Sequence, residues 1–100
     1  MILGGTGFLG TVLTNNFLLE GYNVFILTRD TKVYSARQHH ENLRYCDLGV
    51  LQDPNFYKEN KISFIINTIA NYGRDGEKKT EIIEANYCVP RKIFEMCLLS

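Results

Sequence analysis

Residues 1–10 read MILGGTGFLG, three apolar residues running directly into four glycines. Gly4, Gly7 and Gly10 set out a G-x-x-G-x-x-G spacing. The stretch that follows, FLGTVLTNNFLLE, carries Leu9, Leu13 and Phe17 four apart with Val12 on the same face, the period of an amphipathic helix. The glycines therefore lie between a strand and a helix. At such a junction the pyrophosphate of a dinucleotide meets the unpaired N–H groups of a helix N-terminus, and side chains would obstruct the approach. On this reading Gly4 permits the tight turn, Gly7 brings backbone near phosphate, Gly10 allows close helix–strand packing, and Thr6 adds a hydroxyl donor. The alternative is a flexible turn with no ligand. Two rival glycine motifs fit poorly. Gly5 and Gly10 have the spacing of a triphosphate-binding loop, but Thr11 and Val12 stand where its lysine and magnesium-binding hydroxyl belong. A flavin-type G-x-G-x-x-G would need glycine where Thr6 stands.

Further along, the chain alternates short apolar runs with longer amphipathic ones. Gly21 supplies a helix stop. Residues 23–28, NVFILT, form a β-branched and aromatic run too short for a helix, and residues 42–48, NLRYCDL, predict another strand. Asp53 followed by Pro54 predicts an N-cap with proline at the first helical position, opening a helix through about Glu59. Residues 62–70, ISFIINTIA, are nearly continuous in apolar residues, as in a strand covered on both faces of a parallel sheet. From about Lys79 onward, Ile82, Ile83, Val89, Ile93, Phe94 and Cys97 keep helical spacing. Residues 30–42 and 71–78 read as polar loops. The order βαβ, loop, βαβα predicts an α/β protein with a Rossmann-type, partly doubly wound parallel sheet.

Composition narrows the partners. A chain of 100 residues, 45% hydrophobic and 22% charged, predicts one globular domain with a buried core. Eleven basic and eleven acidic residues cancel, so there is no electrostatic footprint for nucleic acid or an anionic membrane. Cys46, Cys88 and Cys97 are an odd set without metal-ligand spacing, and no apolar run is long enough to span a bilayer. A reducing cytoplasm is the expected compartment, with the cysteines as packing residues. His39 and His40 have no ligand partners at suitable spacing and read as a solvated pair, so no metal site is expected.

GGTGFLG, LTRD at the end of the second strand, CDL at the third and EANYCVPRKIFEMC near the end resemble the N-terminal half of extended short-chain dehydrogenase/reductases, the NAD-dependent epimerase/dehydratase family. The nucleotide-sugar branch is the nearer likeness. IINTIANYG with EANYCVPRKIFEMC is similar to the CDP-abequose synthase type, which reduces a 4-keto deoxysugar nucleotide for O-antigen. The resemblance spans residues 1–100 and implies a sheet of strand order 3-2-1-4, with the chain stopping before a fifth strand. It implies pyrophosphate contacts from the backbone of Gly4, Thr6, Gly7, Phe8 and Leu9, and adenine contacts at Asp47 and Leu48. Thr68, Ile69 and Ala70 would touch cofactor phosphate and ribose. Asp47 could instead cap the next turn, and Ile69 and Ala70 could equally be core. Two positions depart from the family pattern: Leu3 replaces a threonine, and Asn67 stands where relatives often carry histidine. The apolar stub before the glycines is also shorter than the family's first strand, so an internal start or a clipped sequence is expected.

Thr28 and Arg29 occupy the end of the second strand, where NAD enzymes commonly place an acidic side chain for the ribose hydroxyls. Hydroxyl plus guanidinium suits a 2′-phosphate, which favours NADP(H) within a general NAD(P) expectation. Asp30 is the competing feature, since it could serve NAD.

Family chemistry uses a Tyr-x-x-x-Lys pair beyond the fourth strand, the lysine lowering the tyrosine pKa for proton exchange with a sugar hydroxyl or ketone. The one such spacing here, Tyr57 to Lys61, falls between the third and fourth strands and is rejected as a site. No catalytic residue is assigned, and residues 1–100 read as an inactive cofactor-binding half whose substrate, a small nucleotide sugar, binds mostly elsewhere. Tyr72, Gly73 and Arg74 could reach a substrate or merely form a turn. Two alternatives stay open: a catalytically silent, redox-sensing dinucleotide module, and a reductase of a non-sugar ketone. A homodimer of the full-length protein is also an open expectation, and the hundred residues alone are expected to aggregate through an exposed fourth strand. Pro90 deprives the carbonyl of Asn86 of its helical donor. In the family this asparagine supports a relay water, so Asn86 either holds its carbonyl ready for that water or simply ends one helical segment before Pro90 starts another.

Overall fold

A computed structural model of the chain describes residues 1–29, 31–32, 40–69 and 76–99. Four strands, β1 (Ile2–Leu3), β2 (Val24–Leu27), β3 (Leu43–Cys46) and β4 (Ile66–Asn67), make one parallel sheet in the order β3-β2-β1-β4. The parallel α/β sheet is the one the sequence pattern predicts, and its 3-2-1-4 order is the one the resemblance implies. The chain divides into two compact units, Met1–Val50 with Ile62–Thr68, and Leu51–Lys61 with Ile69–Ser100.

The first unit holds the sheet and helix α1 (Phe8–Leu19). Although β1 has two residues, it is the best buried strand, with Ile2 at 2% and Leu3 at 0% exposure. Flanking hydrogen bonds lengthen its grip: Met1 N donates to the Phe64 carbonyl at 2.9 Å, Ile66 N–H to Met1 at 2.9 Å and Thr68 N–H to Leu3 at 3.0 Å. The strand expected over residues 62–70 is thus reduced to Ile66–Asn67. Its described partner is β1, and a ladder can run no further than the strand it pairs with.

Ile2, Leu18, Val24, Ile26 and Leu43 form the core of this unit, with Leu13, Phe17, Tyr45 and Ile66 packed around them. Burying each large aliphatic side chain contributes about 1.5–3 kcal/mol. The inward face of α1 differs from the expected one. Gly10, Thr14 and Leu18 are buried, whereas Leu9 and Val12 lie at the surface. The helix start rides so close to the glycine loop that small residues, Gly10 and Thr14, occupy the first turns of its buried line, while Leu18 continues that line into the core and Leu13 and Phe17 flank it. The expected stop at Gly21 is realised with φ +85°. Gly21 N–H donates to Leu18 and Tyr22 N–H to Phe17, the paired bonds of a Schellman termination. The accompanying apolar contact is an edge-to-face pair of Phe17 and Tyr22, centroids 5.3 Å apart.

A 3-10 run, Leu48–Gln52, leads from the first unit to the second. Helix α2 (Pro54–Glu59) begins as predicted: Asp53 Oδ1 accepts from Asn55 N–H at 3.0 Å, and Pro54 takes the first turn. Helix α3 (Lys79–Ile83) runs through a π turn (Glu84–Cys88) into helix α4 (Val89–Leu99) without leaving helical structure. Glu81 Oε2 accepts from Lys78 N–H at 3.2 Å and caps the start. The π turn answers the expectation set by Pro90. An α turn here would drive the proline ring against the Asn86 carbonyl, while the wider i→i−5 turn, with Val89 N–H donating to Glu84, leaves room for it. The α-helix resumes at Val89 with Pro90 its second residue, through a π turn and without the break after Asn86 that one of the two alternatives held open.

Candidate cofactor site

The carboxyl ends of the four strands finish level. Leu3 stands beside Leu27, Leu27 beside Cys46, and Leu3 beside Asn67. One residue further, Gly4, Thr28, Asp47 and Thr68 form a row along the sheet edge. The ladder is still closed there, since Thr28 N–H donates to Cys46 at 3.0 Å and Thr68 N–H to Leu3 at 3.0 Å. With strands about 4.8 Å apart, this row is roughly 14 Å long, room for an extended dinucleotide. In open parallel sheets ligands bind outside this edge, at the point where strand order reverses. Here that point is β1, with β2 on one side and β4 on the other.

The glycine loop rises from the middle of the row. Gly4 has φ +77°, a conformation that glycine adopts freely. Gly7 N–H donates to the Gly4 carbonyl at 3.1 Å and closes the turn. Gly7 is the N-cap of α1 and has no side chain to cap it, so the first-turn amides of Phe8, Leu9 and Gly10 lack partners inside the helix. They are donors for an anion, reinforced by the helix dipole. A Cβ on Gly10 would lie 2.1 Å from the Gly4 carbonyl oxygen and 2.5 Å from Gly5 Cα. Its close packing is thus against the loop backbone. A Cβ on Gly7 would meet only the Gly4 oxygen, at 3.4 Å, which leaves that side open. Gly5 and Thr11 entered the sequence reading only through a rejected triphosphate-loop motif and received no role in the dinucleotide loop. A Cβ on Gly5 would press to 3.0 Å from two Ile26 side-chain carbons, and Thr11 Oγ1 donates to the Gly7 carbonyl at 2.7 Å and lies 3.4 Å from the Gly5 carbonyl. A threonine four residues after a loop glycine was the available signal.

The remaining expected residues are placed as follows. Thr6, Phe8 and Leu9 are exposed around the helix start, while Thr28 is buried and Arg29 exposed at the end of β2. Asp47 Oδ1 accepts from Gly49 N–H at 2.9 Å and its carbonyl from Val50 at 3.2 Å. It caps the 3-10 run, the alternative held open for it, and thereby fixes Leu48 at the edge of the row. Thr68 Oγ1 donates to the Leu3 carbonyl at 2.9 Å and tethers the end of β4 to the start of the glycine loop. Ile69 is half-buried and belongs to the second unit. Asp30, His39, Ala70, Tyr72, Gly73 and Arg74 lie outside the described residues. His40 Nδ1 accepts from Asn42 N–H at 3.0 Å within a turn.

Tyr57 is committed elsewhere. Only 4% exposed, its hydroxyl donates to the Leu51 carbonyl at 3.1 Å. Burial pushes its pKa up, with a smaller push from Cys97. An activated tyrosine would carry the opposite shift. Burial also pushes up the Cys46 thiol against a smaller downward pull from Arg44. Among the described residues no cluster of His, Cys, Asp or Glu could hold a metal ion, and no helix is long and apolar enough to cross a membrane.

An open N-cap, a glycine turn and four level strand ends suit the pyrophosphate and flanking groups of a dinucleotide, and a nicotinamide dinucleotide fits them. The model of the NAD dependent epimerase/dehydratase family matches residues 1–100. A solved structure described as a 3-oxoacyl-reductase from Bacillus thuringiensis shares the fold with a TM-score of 0.66 at 22% identity. The likeness covers 95% of this chain and 48% of that one, so the chain spans about half the length of that structure.

Proposed function

The chain belongs to the NAD dependent epimerase/dehydratase family, and from that premise we propose that it is the cofactor-binding part of an NAD(P)-dependent oxidoreductase or epimerase acting on a ketone or hydroxyl of a nucleotide sugar. The observation that carries the reading is the row Gly4, Thr28, Asp47, Thr68 beside the uncapped start of α1. The backbone of Gly4, Thr6, Gly7, Phe8 and Leu9 contacts the pyrophosphate, Gly7 by close approach because its N–H is held by the Gly4 carbonyl, and Gly10 lets the helix start pack against the loop. Asp47 and Leu48 receive the adenine, and Thr68, Ile69 and Ala70 the phosphate and ribose beyond. The bound dinucleotide supplies a hydride or accepts one; this chain's part is to hold it at the sheet edge. The nucleotide-sugar substrate, of the CDP-abequose synthase kind, rests on the sequence resemblance. So does the water relay at Asn86, while the cytoplasmic setting rests on the cysteine set and a homodimer remains an expectation for the full-length protein.

Cofactor preference rests on Thr28 and Arg29. The Thr28 amide is tied to Cys46 and its side chain buried, which leaves exposed Arg29 at the adenosine end of the row. A guanidinium there recognises a 2′-phosphate and not a free ribose hydroxyl. Arg29→Ala should weaken NADPH roughly tenfold or more in competitive titration and leave NADH within about twofold; an equal loss of both contradicts NADP preference. A second reading is a redox-sensing dinucleotide-binding module without catalysis, which the same uncapped start of α1 and row of strand ends would serve. Turnover of a sugar-nucleotide ketone with NADPH by the full-length protein separates the two.

A further inference from the structure

We infer that Thr11 is a positioning residue for the pyrophosphate loop, an inference that rests on the cofactor reading above. Carbonyls on the loop are engaged one after another. Leu3 accepts from Thr68 twice, through N–H at 3.0 Å and Oγ1 at 2.9 Å, and Gly4 accepts from Gly7 N–H at 3.1 Å. Gly7 accepts from Thr11 twice, through N–H at 2.9 Å and Oγ1 at 2.7 Å. The same Oγ1 stands 3.4 Å from the Gly5 carbonyl, so one hydroxyl faces two carbonyls that lie on either side of Thr6.

Those contacts aim the donors. In a trans peptide the carbonyl of one residue and the N–H of the next point in opposite directions, and no cis bond occurs among the described residues. Drawing the Gly5 and Gly7 carbonyls toward Thr11 turns the Thr6 and Phe8 amides the other way, out of the loop. Successive amides fixed in this manner form an anion-binding concavity. Glycine-rich backbone would otherwise sample many orientations of these peptides. Thr11 narrows them before ligand arrives, which lowers the ordering cost of binding. Thr14 offers a comparison on the same helix: its Oγ1 donates to Gly10 at 2.7 Å, but wholly inside the helix and fully buried, so it orients no loop amide.

The test is cofactor affinity and amide chemical shifts in Thr11→Val, Thr11→Ala and Thr11→Ser. Valine keeps the branched shape, alanine removes the hydroxyl with a better helix former, and serine retains the donor. Val and Ala variants should bind NADPH and NADH roughly fivefold to tenfold more weakly, both alike because the pyrophosphate is common to both, with serine within about twofold of the parent. In the unligated protein the Thr6 and Phe8 amide signals should move in the Val and Ala variants and stay in the Ser variant. Unchanged affinity in Val and Ala, a loss confined to one cofactor, or a Ser variant as weak as Val would overturn the inference. A parent protein that binds neither NADPH nor NADH instead removes the cofactor reading itself.

Discussion

One methyl group separates the consequences of two loop glycines. At Gly10 it would enter the backbone of Gly4 and Gly5, at 2.1 and 2.5 Å, so Gly10→Ala should lower stability by about 1–3 kcal/mol through overpacking. At Gly7, φ is −80° and the methyl meets one atom at 3.4 Å. Gly7→Ala should therefore keep unfolding within about 1 kcal/mol of the parent while weakening NAD(P)H, because the methyl occupies the side a phosphate would approach. Thermal unfolding and cofactor titration of the two variants check this, and a Gly7→Ala protein with full affinity would contradict it. The spacing of Gly4, Gly7 and Gly10 was legible in sequence because each glycine answers a local demand. Gly5 and Thr11 were not, because their roles depend on Ile26 across the sheet and on carbonyl directions in a turn. Tyr57 shows a different case: its spacing to Lys61 imitates a catalytic pair, its place between the third and fourth strands set it aside in sequence, and the bond to Leu51 adds what its hydroxyl does instead.

At the level of elements, boundaries set by local chemistry were the most legible. Asp53 and Pro54 mark the start of α2, and Gly21 the end of α1, because caps act within a few residues. Extents set by partners were not: residues 62–70 have the composition of a long strand, yet pairing with a two-residue β1 limits β4. The buried face of α1 was misread for a similar reason, since close approach to the loop selects Gly10 and Thr14 over Leu9 and Val12. Pro90 announced an irregularity but not its form. If the π turn exists to seat the proline ring, Pro90→Ala should let α turns run through residues 84–90, place the amide of residue 90 on Asn86, and raise stability by about 1 kcal/mol. Hydrogen exchange at residue 90 with thermal unfolding measures both effects. An unprotected amide and no gain would mean that the π turn has another cause.

For the whole molecule, the alternation of apolar and amphipathic runs pointed to an α/β protein with a parallel sheet, and the order 3-2-1-4, in which β4 returns to the far side of β1, came from the family resemblance. That topology creates the site. It brings Gly4, Thr28, Asp47 and Thr68, far apart in sequence, into one row at the carboxyl edge, beside the uncapped start of α1 whose amides are the proposed donors to the pyrophosphate. No single stretch of sequence carries the row, which depends on register across three strand pairs. The central claim is that NAD(P) lies along it with its pyrophosphate on the glycine loop. Heteronuclear NMR of the protein titrated with NADPH tests this most directly. The account predicts that the largest amide shifts fall on Gly4 and residues 6–10, with a second group at Thr28, Arg29, Asp47 and Leu48, all saturating together. Shifts confined to other residues, or none at saturating NADPH and NADH, would contradict it.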